Sequence, residues 1–157
     1  MAFYQFKRTQ KINGTIEALW DFISNPSNLK VITPDYMGFD ITSEEVPEKM
    51  YEGLIISYKV SPILGIKTTW VTEITKVREL EYFVDEQRVG PYKLWHHQHK
   101  IEKITNGVLM TDIVSYAPPL GFLGKIANTF VIKNKLNEIF EYRKHAVENR
   151  FGIYSEA

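Results

Sequence analysis

Between residues 54 and 116 the side chains alternate in one run after another. Leu54, Ile56, Tyr58 and Val60 form one such set, and Ile66, Thr68, Trp70, Thr72 and Ile74 the next. Tyr82, Phe83 and Val84 lie in a third run, closed by Gly90-Pro91, and Trp95–Ile104 and Val108–Tyr116 follow. A period of two puts alternate side chains on opposite faces of a strand, so each run predicts a strand with one face toward a core. The connections are short, and Asn106-Gly107 between the last two runs is the strongest short-range hairpin signal. Consecutive strands with short connections form an antiparallel meander, and its apolar face needs a cover.

The flanking segments supply that cover. Residues 3–12 alternate and predict a first strand. Thr15 ahead of Ile16-Glu17-Ala18-Leu19-Trp20 predicts a capped helix to about Ser24, stopped by Asn25-Pro26. A second short helix is expected over Ser27 to Ile32, ended by Thr33-Pro34, and then a strand in which Met37, Phe39 and Ile41 alternate with polar residues. Pro118-Pro119-Leu120-Gly121 breaks the last strand. No proline interrupts Phe122 to Asn149, a length that makes a helix on the order of 40 Å long. On a helical wheel Phe122, Ile126, Phe130, Leu136, Phe140 and Val147 fall on one stripe, which only the sheet has enough apolar surface to bury. The order β-α-α-β-β-β-β-β-β-α is that of an α+β domain. At 157 residues one domain is expected, over 1–152, with 153–157 a C-terminal tail.

The charge balance narrows the partners. Nineteen basic residues match nineteen acidic ones, so no long-range field attracts nucleic acid or an anionic membrane. The chain has no cysteine, which excludes disulfides, thiol nucleophiles and thiolate metal sites. No apolar run reaches the roughly 20 residues that cross a bilayer. The N-terminus lacks an apolar signal stretch, so stable membrane insertion is not expected and a cytoplasmic location is.

Several local phrases carry a resemblance. They are Ala18-Leu19-Trp20-Asp21-Phe22-Ile23, Asn25-Pro26-Ser27-Asn28-Leu29 and Ile32-Thr33-Pro34. Further on come Phe83-Val84-Asp85-Glu86-Gln87, Gly90-Pro91-Tyr92, Trp95-His96-His97-Gln98-His99 and Asp112-Ile113-Val114-Ser115-Tyr116. With the element order, these resemble the START-like (SRPBCC) superfamily over nearly the whole chain, closest to a small bacterial subgroup labelled cell-division-inhibitor-like or polyketide-cyclase-like. The resemblance implies a helix-grip fold: a curved seven-stranded antiparallel sheet wrapped around the C-terminal helix. It also implies a cavity between the two for an apolar or amphipathic molecule. It implies no reaction, because members of the superfamily share no catalytic residues.

The hairpin supplies the polar candidates. With Asn106-Gly107 as a two-residue turn, Thr105 faces Val108, Ile101 faces Asp112, His99 faces Val114 and His97 faces Tyr116. Trp95, His97, His99 and Ile101 then share a face with Met110, Asp112, Val114 and Tyr116, and Asp112 is a diagonal neighbour of His99. His96, Gln98, Lys100 and Glu102 on the other face read as solvated, so the Trp95 face is expected to point inward. Two histidines with carboxylates suit proton transfer, and His97, His99, Asp112 and Asp85 are the catalytic candidates. Polar groups lining cavities more often orient a ligand than catalyse. His97 and His99, with Asp112, could also be read as metal ligands, but beside the two histidines no third strong ligand is evident, and neither metal nor cofactor is expected. On the helix, Lys133, Asn137 and Lys144 fall within the apolar stripe by angle, with the lysines expected to reach water at the rim.

The expected function is binding of an apolar or amphipathic small molecule (a lipid, isoprenoid or polyketide-like compound) between sheet and helix. The expected contacts are Tyr58, Trp70, Phe83, Trp95, His97, His99, Met110, Asp112, Phe130 and Asn137. A cyclase, aromatase or dehydratase using the cavity His/Asp set is the alternative reading, and an interaction or stress-response module with a collapsed cavity is another.

Overall fold

The computed structural model describes residues 2–62 and 65–156. Met1 and Ala157, the outer ends of the expected domain and tail, lie outside the described residues, as do Ile63 and Leu64. Strand β1 (Tyr4–Asn13) leads into helix α1 (Ile16–Ile23). Two 3₁₀ turns, Pro26–Lys30 and Asp35–Met37, precede β2 (Asp40–Ile41), β3 (Ile55–Val60), β4 (Thr68–Arg78), β5 (Tyr82–Val89), β6 (Leu94–Ile104) and β7 (Gly107–Ala117). The C-terminal helical segment comprises α2 (Gly121–Ala127), a π turn (Asn128–Ile132) and α3 (Lys133–Phe151). The seven strands form one antiparallel sheet in the order β1-β7-β6-β5-β4-β3-β2.

Local chemistry explains most boundaries. The Thr15 hydroxyl accepts from the Ala18 amide 3.2 Å away and caps α1, whose Leu19, Trp20, Phe22 and Ile23 are buried. The Asn25 side chain caps the next turn through the Ser27 amide, and Pro26 occupies its first position. The alternation expected from Met37 is cut short. Met37 closes a 3₁₀ turn whose C-cap, Gly38, takes the left-handed conformation, so pairing begins only at Asp40.

The β6–β7 hairpin differs from expectation in register. Thr105 and Asn106 make the turn and Ile104 pairs with Gly107. Asn106 is the residue with positive φ, at 60°. Gly107 is needed for close approach instead: a Cβ there would sit 2.3 Å from the Ile12 carbonyl oxygen of β1. Each pairing is displaced by two residues, so His99 lies opposite Asp112 and His97 opposite Val114. A shift of two preserves the face, and the inward face is the expected one: His97, His99 and Asp112 are all buried.

The C-terminal helix follows the expected stripe only in its second half. Leu136, Phe140 and Val147 are buried, whereas Phe122 is 75% exposed, Phe130 72% and Ile126 43%. The π turn accommodates one extra residue, which rotates everything upstream by about 100° relative to a continuous α-helix. That rotation brings Gly124, Asn128 and Ile132 into line with Leu136, and all three are buried. Gly124 fits because a Cβ there would meet the Pro119 carbonyl oxygen at 2.0 Å. The buried Asn128 accepts a 2.6 Å hydrogen bond from the Tyr116 hydroxyl, tying the π turn to β7. Past α3, the Tyr154 hydroxyl donates to the Thr105 carbonyl at 2.7 Å and holds the tail on the hairpin turn.

Candidate functional site

Between the concave sheet and the helix lies a cavity of about 130 Å³. Its walls divide by chemistry. One wall is aromatic: Tyr58 stacks on Trp70 with ring centres 6.2 Å apart, and Trp70 meets Trp95 edge-on at 5.2 Å and Tyr92 at 5.8 Å. Two donors of this wall are satisfied within it: the Trp70 indole N–H donates to Thr72 Oγ1 at 3.1 Å and the Tyr58 hydroxyl pairs with the same oxygen. Ile132, Leu136, Ile139 and Phe140 of the helical segment close the opposite side, with Met37, Phe39 and Met50 from the loops ahead of β3.

The other wall is polar and comes from three adjacent strands. Asp85 of β5 lies opposite His97 of β6, and His99 of β6 lies opposite Asp112 of β7. The shortest contacts run diagonally: His97 Nε2 to Asp112 Oδ1 is 2.7 Å and His99 Nε2 to Asp85 Oδ2 is 2.5 Å. The direct pairs are longer, 3.2 Å from His99 Nδ1 to Asp112 Oδ1 and 3.6 Å from His97 Nδ1 to Asp85 Oδ2. The two imidazoles overlap with centres 3.6 Å apart, and Phe83 stacks on His99 at 4.1 Å. Arg143 of α3 reaches down to Asp112 Oδ1 at 3.3 Å while its guanidinium lies over Phe140.

Burial and charge pull these groups in opposite directions. Desolvation, with the neighbouring His99, pushes the His97 imidazole down to about 4 despite its bond to Asp112. For His99, desolvation is outweighed by hydrogen bonds to Asp112 and Asp85, and its pKa rises above the ordinary histidine value. Burial would raise both carboxylates. Histidine hydrogen bonds and the Arg143 charge prevail and hold Asp112 and Asp85 below the usual range. The resulting arrangement is a buried network of two carboxylates, a guanidinium and two unlike histidines.

The expected site residues separate in the fold. Tyr58, Trp70, Phe83, Trp95, His97, His99 and Asp85 line the cavity, and Asp112 supports it from behind the two histidines. Met110 packs into the core around α1 instead. Phe130 and Asn137 do not reach the cavity: Phe130 is turned to solvent by the π turn, and the exposed Asn137 amide donates to the Lys133 carbonyl one turn back. Lys133 is exposed, and Lys144 is half-buried beside Gln10, whose side chain bonds its carbonyl oxygen. The polar helix residues that do line it are Lys135, paired with Glu138, and Arg143. The signal for Arg143 was legible, because seven residues after Leu136 and three after Phe140 place it at the centre of the buried stripe.

The architecture has solved counterparts. A protein of Chromobacterium violaceum superposes with a TM-score of 0.70 at 10% identity, covering 96% of this chain and 99% of its own. The ginseng (Panax ginseng) major latex-like protein 151 gives 0.67 at 11% identity, covering 95% and 97%. This chain has a helix-grip fold. Ara h 8.0201 shares it with a TM-score of 0.59 at 14% identity, covering 94% of this chain and 99% of the other. No family model matches the chain, and no curated protein matches it in sequence. Identities this low establish a common helix-grip architecture and leave the function to the cavity itself. Among the described residues no helix is long and apolar enough to cross a membrane.

Proposed function

We propose that this chain binds an amphipathic small molecule, its apolar body against the aromatic wall and its polar head at the Asp85–His97–His99–Arg143 wall. One observation carries the amphipathic part of the reading. Arg143 Nε is buried and has no hydrogen-bond partner, although the same guanidinium reaches Asp112 through Nη1. A buried N–H left unpaired costs about 1–3 kcal/mol, and a ligand oxygen entering the cavity would relieve that cost. The aromatic wall supports the apolar part. The polar atoms of Tyr58 and Trp70 are both taken up by Thr72, leaving their ring faces for hydrocarbon.

The reading is tested by titrating a medium-chain fatty acid and the matching fatty alcohol while following tryptophan fluorescence. Trp70 and Trp95 meet edge-on at the cavity wall and report its occupancy. Saturable binding is expected, with the acid favoured. Arg143→Met should weaken the acid by roughly tenfold or more, the size of a charge-assisted hydrogen bond, and leave the alcohol nearly unchanged. Non-saturable quenching by both compounds would defeat the proposal.

A further inference from the structure

The polar wall has a second property that ligand orientation does not require. His97, His99 and Asp85 place one donor atom each within 4.8 Å of one another at the cavity surface. Asp85 Oδ2 is 2.5 Å from His99 Nε2 and 3.6 Å from His97 Nδ1. The latter is beyond hydrogen-bond length, so His97 Nδ1 donates no proton to Asp85. The remaining ring nitrogens, His97 Nε2 and His99 Nδ1, both turn back to a single oxygen of Asp112, at 2.7 and 3.2 Å. Arg143 holds that oxygen from the helix side.

This is the arrangement of a metal site with its outer shell built. Metal-binding histidines characteristically donate their distal N–H to a carboxylate, which sets the tautomer and aims the other nitrogen at the ion. Here one carboxylate serves both rings. Asp112 fixes a proton on His97 Nε2 and on His99 Nδ1, so His97 Nδ1 keeps its lone pair, and His99 Nε2 exposes one on the same Asp85 side once the proton it shares with Asp85 is lost. We propose that Asp85, His97 and His99 form a two-histidine, one-carboxylate site for a divalent first-row transition-metal ion, with Asp112 as the positioning residue behind it.

The chemistry agrees with the donors. Imidazole and carboxylate suit zinc, iron, cobalt or nickel rather than calcium or magnesium. Metal–nitrogen bonds of about 2.0–2.1 Å in tetrahedral geometry set neighbouring donors about 3.3–3.5 Å apart. The 3.6 Å pair lies within about 0.3 Å of that spacing. The 2.5 Å pair must open by about 1 Å, as expected when an ion replaces the proton held between Asp85 and His99 and that proton leaves to solvent. Three protein ligands leave at least one coordination position, which faces the aromatic cavity.

The test uses the intact chain and the metal alone. After chelator treatment and dialysis, Co²⁺ and Zn²⁺ are titrated by calorimetry and by cobalt absorption. One ion per chain is expected, with intense low-coordinate cobalt bands. Asp85→Asn should weaken Co²⁺ at least tenfold, and Asp112→Asn should weaken it by roughly 10–100-fold although it donates no ligand. His145→Gln, which alters an exposed helix histidine flanked by Glu141 and Glu148, should change nothing. Paramagnetic broadening in the wild-type chain keeps the test independent of variant folding: Co²⁺ should erase the His97 and His99 ring signals ahead of those of His96 and His145. No binding, or broadening centred on His145, overturns the proposal. Because no organic ligand is used, either result leaves the fatty-acid titration to stand or fall separately.

Discussion

The first half of the C-terminal helical segment is the richer in apolar residues, yet it leaves most of its large ones exposed while the second half buries its own stripe. In α3, Leu136, Phe140 and Val147 are each at most 4% exposed. In α2 and the π turn, Phe122, Leu123, Ile126 and Phe130 are all at least 43% exposed, while Gly124 and Asn128 face inward. The cause is phase rather than composition. One extra residue in the π turn is worth about 100° of rotation, enough to exchange an apolar face for one bearing a glycine and an amide. The amide is put to use, since Asn128 accepts from Tyr116 in the layer behind the cavity. The lesson is that a helical wheel holds only while the helix keeps one period.

That comparison can be broken by changing phase directly. Deleting exposed Asn137 in α3 should rotate Phe140, Arg143 and Val147 away from the sheet together, and loss of the cooperative melting transition is expected. Phe140→Ala keeps the phase and removes one ring that packs on Phe6 and His97, so about 3–5 kcal/mol should be lost in denaturant unfolding. Asn128→Ala strands a buried tyrosine hydroxyl, and a loss of about 1–3 kcal/mol should follow. Deleting exposed Thr129 should be the milder deletion, because removing the extra residue lets the π turn relax to α-helix with both faces retained; a loss as large as that for the Asn137 deletion would refute the phase argument. Phe130→Ala should change stability by no more than about 0.5 kcal/mol, as at other exposed positions.

The candidate site shows the same contrast between local and long-range information. His97, His99 and Asp112 were legible as an inward-facing group because alternation along β6 and β7 survives a register error of two. Their individual partners were not. The turn chemistry suggested Asn106-Gly107, whereas Gly107 serves the close approach of β1, a contact across more than ninety residues of sequence. Asp85 could be named from its position on the Phe83 face, but its approach to both histidines depends on the β5–β6 register, which no short turn motif announces. Arg143 lies on the stripe between Phe140 and Val147, nearer its centre than Lys133 or Lys144, so its inward position follows from the helical period alone.

What the sequence determined by itself was periodicity: which segments are strands, where α1 is capped, that a long helix must cover a sheet, and which face of the hairpin is buried. These follow from side-chain alternation and capping chemistry within a few residues. Tertiary structure decided the phase of the helix, the exact strand register and the closure of the polar wall. Each is set by contacts between segments far apart in the chain — β1 on Gly107, Pro119 on Gly124, Tyr116 on Asn128 — whose energies outweigh local preference and leave no periodic trace in the residues that make them.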